Sequence, residues 1–394
     1  MDENISSTLQ SQIILNELRQ KGETIYNYGL GENPLPQPPY YIEMMQKYSN
    51  KKHYSSSEGI DELKLFLHKK YNTSQCLVGN GLKELIYIIQ LAFVGKIIHI
   101  TPSWVSYKEQ IKVLNREKDL IEIETTVENE YKINLDYLEN ILKHSNIPKL
   151  LFLNNPCNPT GVAYENDELE KIANIVKKYN CIVFADEIYL QLCYTQNIHS
   201  IARYIPNRTI RGSSVSKDLA CGGYRLGWLS FPDELNDFFQ KCNILSSNIY
   251  SCAPTPIQYA TYHMLQNETL CESHFQKSRY IFSHITNEIT SILRRSKLKF
   301  VQPMAVWYIF INFDNYKEQL RKLEIKDSIS LNHHLLNNFK ILTVAGEHFN
   351  VSGLNLRFSF VDFEFDMYNP TIKNINITHL LEGILTLVQF VTSL

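Results

Sequence analysis

The sequence predicts an α/β fold: mostly parallel strands covered by helices on both faces, followed by a smaller α+β region. Three observations carry this. Residues 149–154, apolar from Leu150 to Leu153, read as a buried strand and 181–185 is a continuous apolar run of strand length, as expected of strands buried on both faces. Between them Leu169, Ile172, Ala173 and Val176 follow the i, i+3, i+4, i+7 spacing of one buried helix face. Strand–helix–strand of this kind builds a parallel sheet. After about Ser247 the pattern changes to helices over 255–265 and 274–293. Strands over 307–313 and 354–360 follow, with a helix near 328–336 between them.

Composition narrows the function classes. At 394 residues the chain is long enough for two or three domains. A formal net charge of -2 gives no electrostatic footprint for nucleic acid or an anionic membrane. Met1-Asp2-Glu3-Asn4 lacks a signal-peptide pattern, and the longest apolar stretch, 86–94, is too short to span a bilayer. The cysteines are scattered without a CxxC pair, which reads as reduced packing residues in a cytoplasmic protein. His333 and His334 are adjacent and point apart on a helix, so no metal site is expected.

Taken in order, the chain opens with a loose helical pattern (Leu9, Ile13, Ile14, Leu18) that reads as a packing arm. The proline-dense stretch 28–39 forbids regular structure and leaves Gly31 in a rigid loop, equally open as a linker or a ligand contact. Tyr54 precedes a helix and reads as a surface tyrosine. Residues 76–78 form a short strand, Gly79-Asn80-Gly81 a tight turn, and Leu82 opens a helix. A glycine turn feeding a helix start presents free N–H groups and a positive dipole end, which suits a phosphate. Trp104 lies just beyond the strand 97–100, where α/β sheets place ligands, although a core role is equally respectable. Asn158 belongs to the turn that stops the strand 149–154. Asp186 ends the strand 181–185 at the same sheet edge, where a desolvated carboxylate must be compensated. Strands 209–210 and 226–231 flank the loop holding Ser214, Lys217 and Arg225. A lysine there can form an imine with an aldehyde, and an arginine one loop away can fork onto a phosphate. Aldehyde plus phosphate describes pyridoxal 5'-phosphate. Arg357 alternates with Leu356 and Phe358, which by itself reads as a surface arginine.

The order Asn158-Pro159-Thr160-Gly161, Asp186-x-x-Tyr189, Ser214-x-x-Lys217-x7-Arg225 resembles the class I/II aminotransferases, the aspartate-aminotransferase superfamily of fold-type-I pyridoxal phosphate enzymes. Tyr54-x4-Gly59 and Pro102-x-Trp104-Val105-Ser106-Tyr107 are similar to its bacterial aspartate branch. The resemblance runs from about Gly29 to Arg357. It implies a mixed, mostly parallel sheet in a large domain over 45–283. The small domain would combine residues 1–44 with 284–394. It further implies Schiff-base chemistry at Lys217, and Asp186 paired with the pyridine nitrogen. Asn158 and Tyr189 would meet the ring's phenolic oxygen. Gly81, Leu82, Ser214 and Arg225 would hold the phosphate, with Tyr54 reaching across a homodimer. Trp104 would stack on the ring, and Arg357 with Gly31 would bind the substrate carboxylate. The implied reaction is transamination between an amino acid and a 2-oxo acid by ping-pong exchange.

Two departures shape the donor expectation. Ser247 stands where enteric-type enzymes carry an arginine for a distal carboxylate, and Met304-Ala305 replaces a customary glycine near Pro303. A neutral or aromatic donor is therefore expected, unless Lys83 reads a distal carboxylate. C–S lyases and decarboxylases of the same fold carry the same motifs, as do histidinol-phosphate-type enzymes. A cofactor-binding DNA regulator would need a basic domain in front, which the N-terminal segment is too short to supply.

Overall fold

In the computed structural model of the chain, residues 13, 15–18, 20–195, 197–366 and 372–394 are described. Leu9 and Ile14 of the expected arm lie outside them. Leu15 is buried against Ile25 and Leu342, while Ile13 is exposed. The strands in chain order are β1 (Tyr26–Asn27), β2 (Gln75–Gly79), β3 (Lys96–Thr101), β4 (Leu120–Glu124), β5 (Lys149–Asn154), β6 (Cys181–Asp186), β7 (Thr209–Ser214), β8 (Gly227–Phe231), β9 (Tyr308–Asn312), β10 (Ile341–Leu342), β11 (Val344–Ala345) and β12 (Asn355–Ser359).

Seven of them form one sheet in the order β2-β8-β7-β6-β5-β3-β4. All neighbours from β4 to β7 run parallel, and β8 runs antiparallel to both β7 and β2. The residues of β5 and β6 alternate between two apolar layers. Phe152 and Phe184 pack with the helix Leu82–Ala92, whereas Leu151, Leu153, Val183 and Ala185 pack with Asn166–Lys177. Both faces are covered, which is why the strands read as unbroken apolar runs. The parallel strands end along one edge, so Gly79, Thr101, Asn154, Asp186 and Ser214 all deliver their following loops to the same crevice.

A second, antiparallel sheet has the order β11-β12-β9, and β1 pairs in parallel with β10. The helix Glu268–Leu293 begins six residues before the expected 274, because Asn267 caps it by accepting from the Leu270 N–H at 3.1 Å. Residue 283 lies inside this helix. No helix among the described residues is long and apolar enough to cross a membrane.

Candidate active site

The crevice at the strand ends is a cleft of about 580 Å³ whose walls include Gly31, Leu82, Lys83, Trp104, Asn158, Asp186, Tyr189, Lys217, Arg225 and Arg357. These residues come from both chain ends and from five strand–loop junctions, so only the tertiary fold assembles them.

The turn after β2 brings Leu82 in as the first residue of an uncapped helix, with Gly81 at φ 89°. Only glycine adopts that conformation without strain, and a Cβ there would collide with the Arg225 guanidinium. Glu84 accepts from the Asn80 N–H at 2.9 Å and steadies the turn. Arg225 donates to the carbonyls of Gly222 at 2.8 Å and Asn80 at 2.9 Å. Its charge stands close enough to Lys83 to push that amine's pKa down, after burial as the larger cause. Two cations and a free helix N-terminus make one end of the cleft strongly anion-seeking. Ser214 is buried below this point, its Oγ accepting from the Ser216 N–H at 3.0 Å, and Ser216 itself lines the cleft.

At the centre, Asp186 is 4% exposed. Its Oδ2 accepts from the Tyr107 hydroxyl, and its Oδ1 from the Ile188 N–H at 3.2 Å. Burial nevertheless raises its carboxyl to about 6, so the pocket is short of positive charge around it. A protonated pyridine nitrogen would supply that charge, and the anion-seeking end beyond would take a phosphate. The residues present therefore fit pyridoxal phosphate.

Arg357, read from the sequence as a surface strand residue, is 2% exposed. Its guanidinium lies 4.8 Å from the Tyr308 ring centroid and 5.2 Å from that of Phe349. It donates to Asn158 Oδ1 at 3.2 Å and the Gly29 carbonyl at 2.9 Å. The alternation misleads because the N-terminal loop buries the second face of β12. Lys217 Nζ donates to the Gly31 carbonyl, and Asn33 Nδ2 donates to the Lys217 carbonyl at 2.8 Å. Burial raises the Tyr189 hydroxyl well above its ordinary pKa, and that hydroxyl lies 3.3 Å from the Tyr308 hydroxyl.

Tyr54 is not brought to this cleft: it is 89% exposed. Conversely, Tyr107 and Tyr308 contact the site although the sequence motifs give them no role. Tyr107 carries a faint signal, lying three residues after Trp104 on the same helical start, with the two rings edge-to-face at 5.4 Å. Tyr308 carries none.

A family model described as aminotransferase class I and II matches residues 23–364. The chain is 27% identical over 388 residues to an aspartate aminotransferase of Bacillus subtilis (strain 168), covering 94% of this chain and 95% of that one. It is 27% identical over 379 residues to an asparagine–oxo-acid transaminase of Streptococcus mutans, with 91% and 92% covered. Among solved structures, an aspartate aminotransferase double mutant of Thermus thermophilus shares the fold, with a TM-score of 0.84, 22% identity, and 98% and 96% of the two chains covered.

Proposed function

The chain belongs to the class I and II aminotransferases, enzymes that use pyridoxal phosphate to act on amino acids and 2-oxo acids, and from that premise we propose a ping-pong transaminase with an acidic donor. The observation that carries the reading is the meeting of Lys217, Asp186, Arg225 and Arg357 in one cleft. One imine-forming lysine, Lys217, and one carboxylate fork, Arg357, serve that cleft, so donor and acceptor must use it in turn, which is the structural requirement for ping-pong exchange.

The cofactor, when bound, supplies an aldehyde for Lys217 and a ring that withdraws electrons from the substrate α-carbon. The protein's part is binding, orientation and proton handling. Gly81 and Leu82 backbone, Ser214 and Arg225 would hold the phosphate, with Ser216 beside them. Asp186 would keep the ring nitrogen protonated, Asn158 and Tyr189 would hold the phenolic oxygen, and Trp104 would cover the ring. Arg357 forks onto the substrate carboxylate, exchanging its carbonyl and amide partners for a charged one. Lys217 Nζ would carry the proton away from the α-carbon.

For the donor side chain, Lys83 favours a distal carboxylate. It lines the cleft, with Nζ 5.6 Å from the Trp104 ring centroid, and the Bacillus subtilis relative is named for aspartate. The neutral or aromatic donor expected from Ser247 is the second reading, favoured by the Trp104 and Tyr308 rings in the same wall and by the asparagine transaminase relative. We also propose a cytoplasmic homodimer in which the exposed Tyr54 reaches the partner's cofactor. The proposed division places a large domain over 45–283 and a small one made from 1–44 and 284–394. The pairing of β1 with β10 supports joining the two chain ends.

The test is a half-reaction: cofactor-loaded protein is mixed with each amino acid without acceptor while visible absorption is followed. Conversion to the aminated cofactor, reversed by a 2-oxo acid and fastest with aspartate or glutamate, supports the reading. Unchanged cofactor with accumulating pyruvate, ammonia or carbon dioxide replaces it with a lyase or decarboxylase.

A further inference from the structure

We propose that Tyr308 is a positioning residue of this site. Its hydroxyl fixes the Gly31 carbonyl on which the Lys217 amine rests, and its ring supports the Arg357 guanidinium. The inference rests on the aminotransferase reading and adds a residue to it.

Tyr308 is the first residue of β9, and its side chain enters the cleft wall. The hydroxyl donates to the Gly31 carbonyl at 3.1 Å. A phenol has one hydrogen, and a carbonyl can only accept, so the hydrogen between Tyr189 and Tyr308 must come from Tyr189. The resulting chain runs Tyr189 to Tyr308 to Gly31, and Lys217 Nζ donates to the same carbonyl from the other side. At 3.3 Å the first link is long for an O–H···O bond, so Tyr189 can turn its hydrogen elsewhere cheaply. The Tyr308–Gly31 bond is the fixed member, because it orients the acceptor that Lys217 sees.

The ring does separate work. The Arg357 guanidinium lies 4.8 Å from its centroid, within cation–π range, and 5.2 Å from that of Phe349. Arg357 Nε is buried without a hydrogen-bond partner, so ring packing supplies part of its orientation. Hydroxyl and ring thus serve two functions: proton handling at Lys217 and carboxylate binding at Arg357.

Gly31 gives an independent handle. A Cβ there would lie 3.1 Å from the Tyr308 hydroxyl and at least 3.6 Å from Arg357. Gly31→Ala therefore presses on the same contact that Tyr308→Phe removes.

The experiment uses cofactor-loaded wild type, Tyr308→Phe, Tyr308→Ala, Gly31→Ala and the Gly31→Ala/Tyr308→Phe double variant. Two readouts are taken: steady-state kcat and KM, and the pH midpoint of the bound cofactor's visible absorption without substrate. For Tyr308→Phe, a net neutral hydrogen bond corresponds to a kcat loss of about five- to tenfold, with KM changing less than about twofold. The spectral midpoint moves, because it reports the Lys217 surroundings. Tyr308→Ala raises KM as well, since the ring is gone. The double variant resembles Tyr308→Phe alone, because both changes act on one contact. An unmoved midpoint in Tyr308→Phe, or fully multiplicative losses in the double variant, overturns the proposal. The spectral titration reads Lys217 whichever reaction follows. A wild type that eliminates overturns the transaminase reading, and the midpoint shift still decides the role of Tyr308.

Discussion

Replacing Asp186 by asparagine separates charge from shape, and the structure predicts opposite consequences for stability and for catalysis. In the cofactor-free chain the carboxyl rises from 3.8 to about 6 because it is buried. A raised carboxyl pKa means the folded state binds the proton more tightly than the unfolded one. Stability is then lost as pH climbs from about 4 to 6 and stays lost above. At about 1.4 kcal/mol per pKa unit this costs on the order of 3 kcal/mol at pH 8 and almost nothing at pH 4. Asparagine removes that penalty, but it turns one of the two acceptor positions into a donor, so Tyr107 must redirect its hydrogen, which forfeits about 1 kcal/mol. Cofactor-free Asp186→Asn should therefore be about 2 kcal/mol more stable than wild type at pH 8 and about 1 kcal/mol less stable at pH 4. Urea unfolding at the two pH values measures this. Catalysis moves the other way. An ion pair to the ring nitrogen at about 4 Å and an effective dielectric near 20 is worth about 4 kcal/mol, so the donor half-reaction should slow by roughly two to three decades. A variant equally destabilised at both pH values, or one retaining a near-wild-type half-reaction, refutes the account of Asp186 as a buried charge awaiting a cation.

Three further outcomes follow from the geometry. Lys83→Ala should reduce kcat/KM for aspartate and glutamate by about tenfold or more, while leaving alanine within about twofold, as a donor panel would reveal. Gly81→Ala combines a left-handed backbone with a collision at Arg225, and should weaken cofactor binding about tenfold or more in an equilibrium titration. If Tyr54 acts across a dimer, mixing inactive Tyr54→Ala and Lys217→Ala chains should restore part of the activity through hybrid dimers. Mixtures as inactive as either parent would remove the partner role.

Much of the sheet is legible because its strands are buried on both faces. The runs at 149–154 and 181–185 match β5 and β6 to within one residue. The edge strand β4 is hidden because Leu120-Ile121-Glu122-Ile123-Glu124 mixes charge with apolar residues, and only Ile123 is buried. For the site, Lys217 and Arg225 share a loop, and their local spacing points to imine and phosphate chemistry. Arg357 and Tyr308 cannot be read that way. Arg357 meets the Gly29 carbonyl and Tyr308 the Gly31 carbonyl across most of the chain's length, and no local pattern encodes such an encounter.

The loop carrying Lys217 is closed at both ends by the pairing of Ser214 with Gly227 and by the Val215 N–H on the Leu226 carbonyl. Lys217 and Arg225 therefore belong to one buckle, which would grasp the cofactor covalently at one end and ionically at the other. The groups proposed to meet the substrate side chain stand elsewhere: Lys83 on a helix, Trp104 after β3, Tyr308 on β9. Grip and taste are thus separable, so donor preference can drift by substitution on those outer elements while the buckle keeps its hold. Randomising Lys83 should yield variants with changed donors and undiminished cofactor affinity, whereas insertions between 217 and 225 should yield none that retain it.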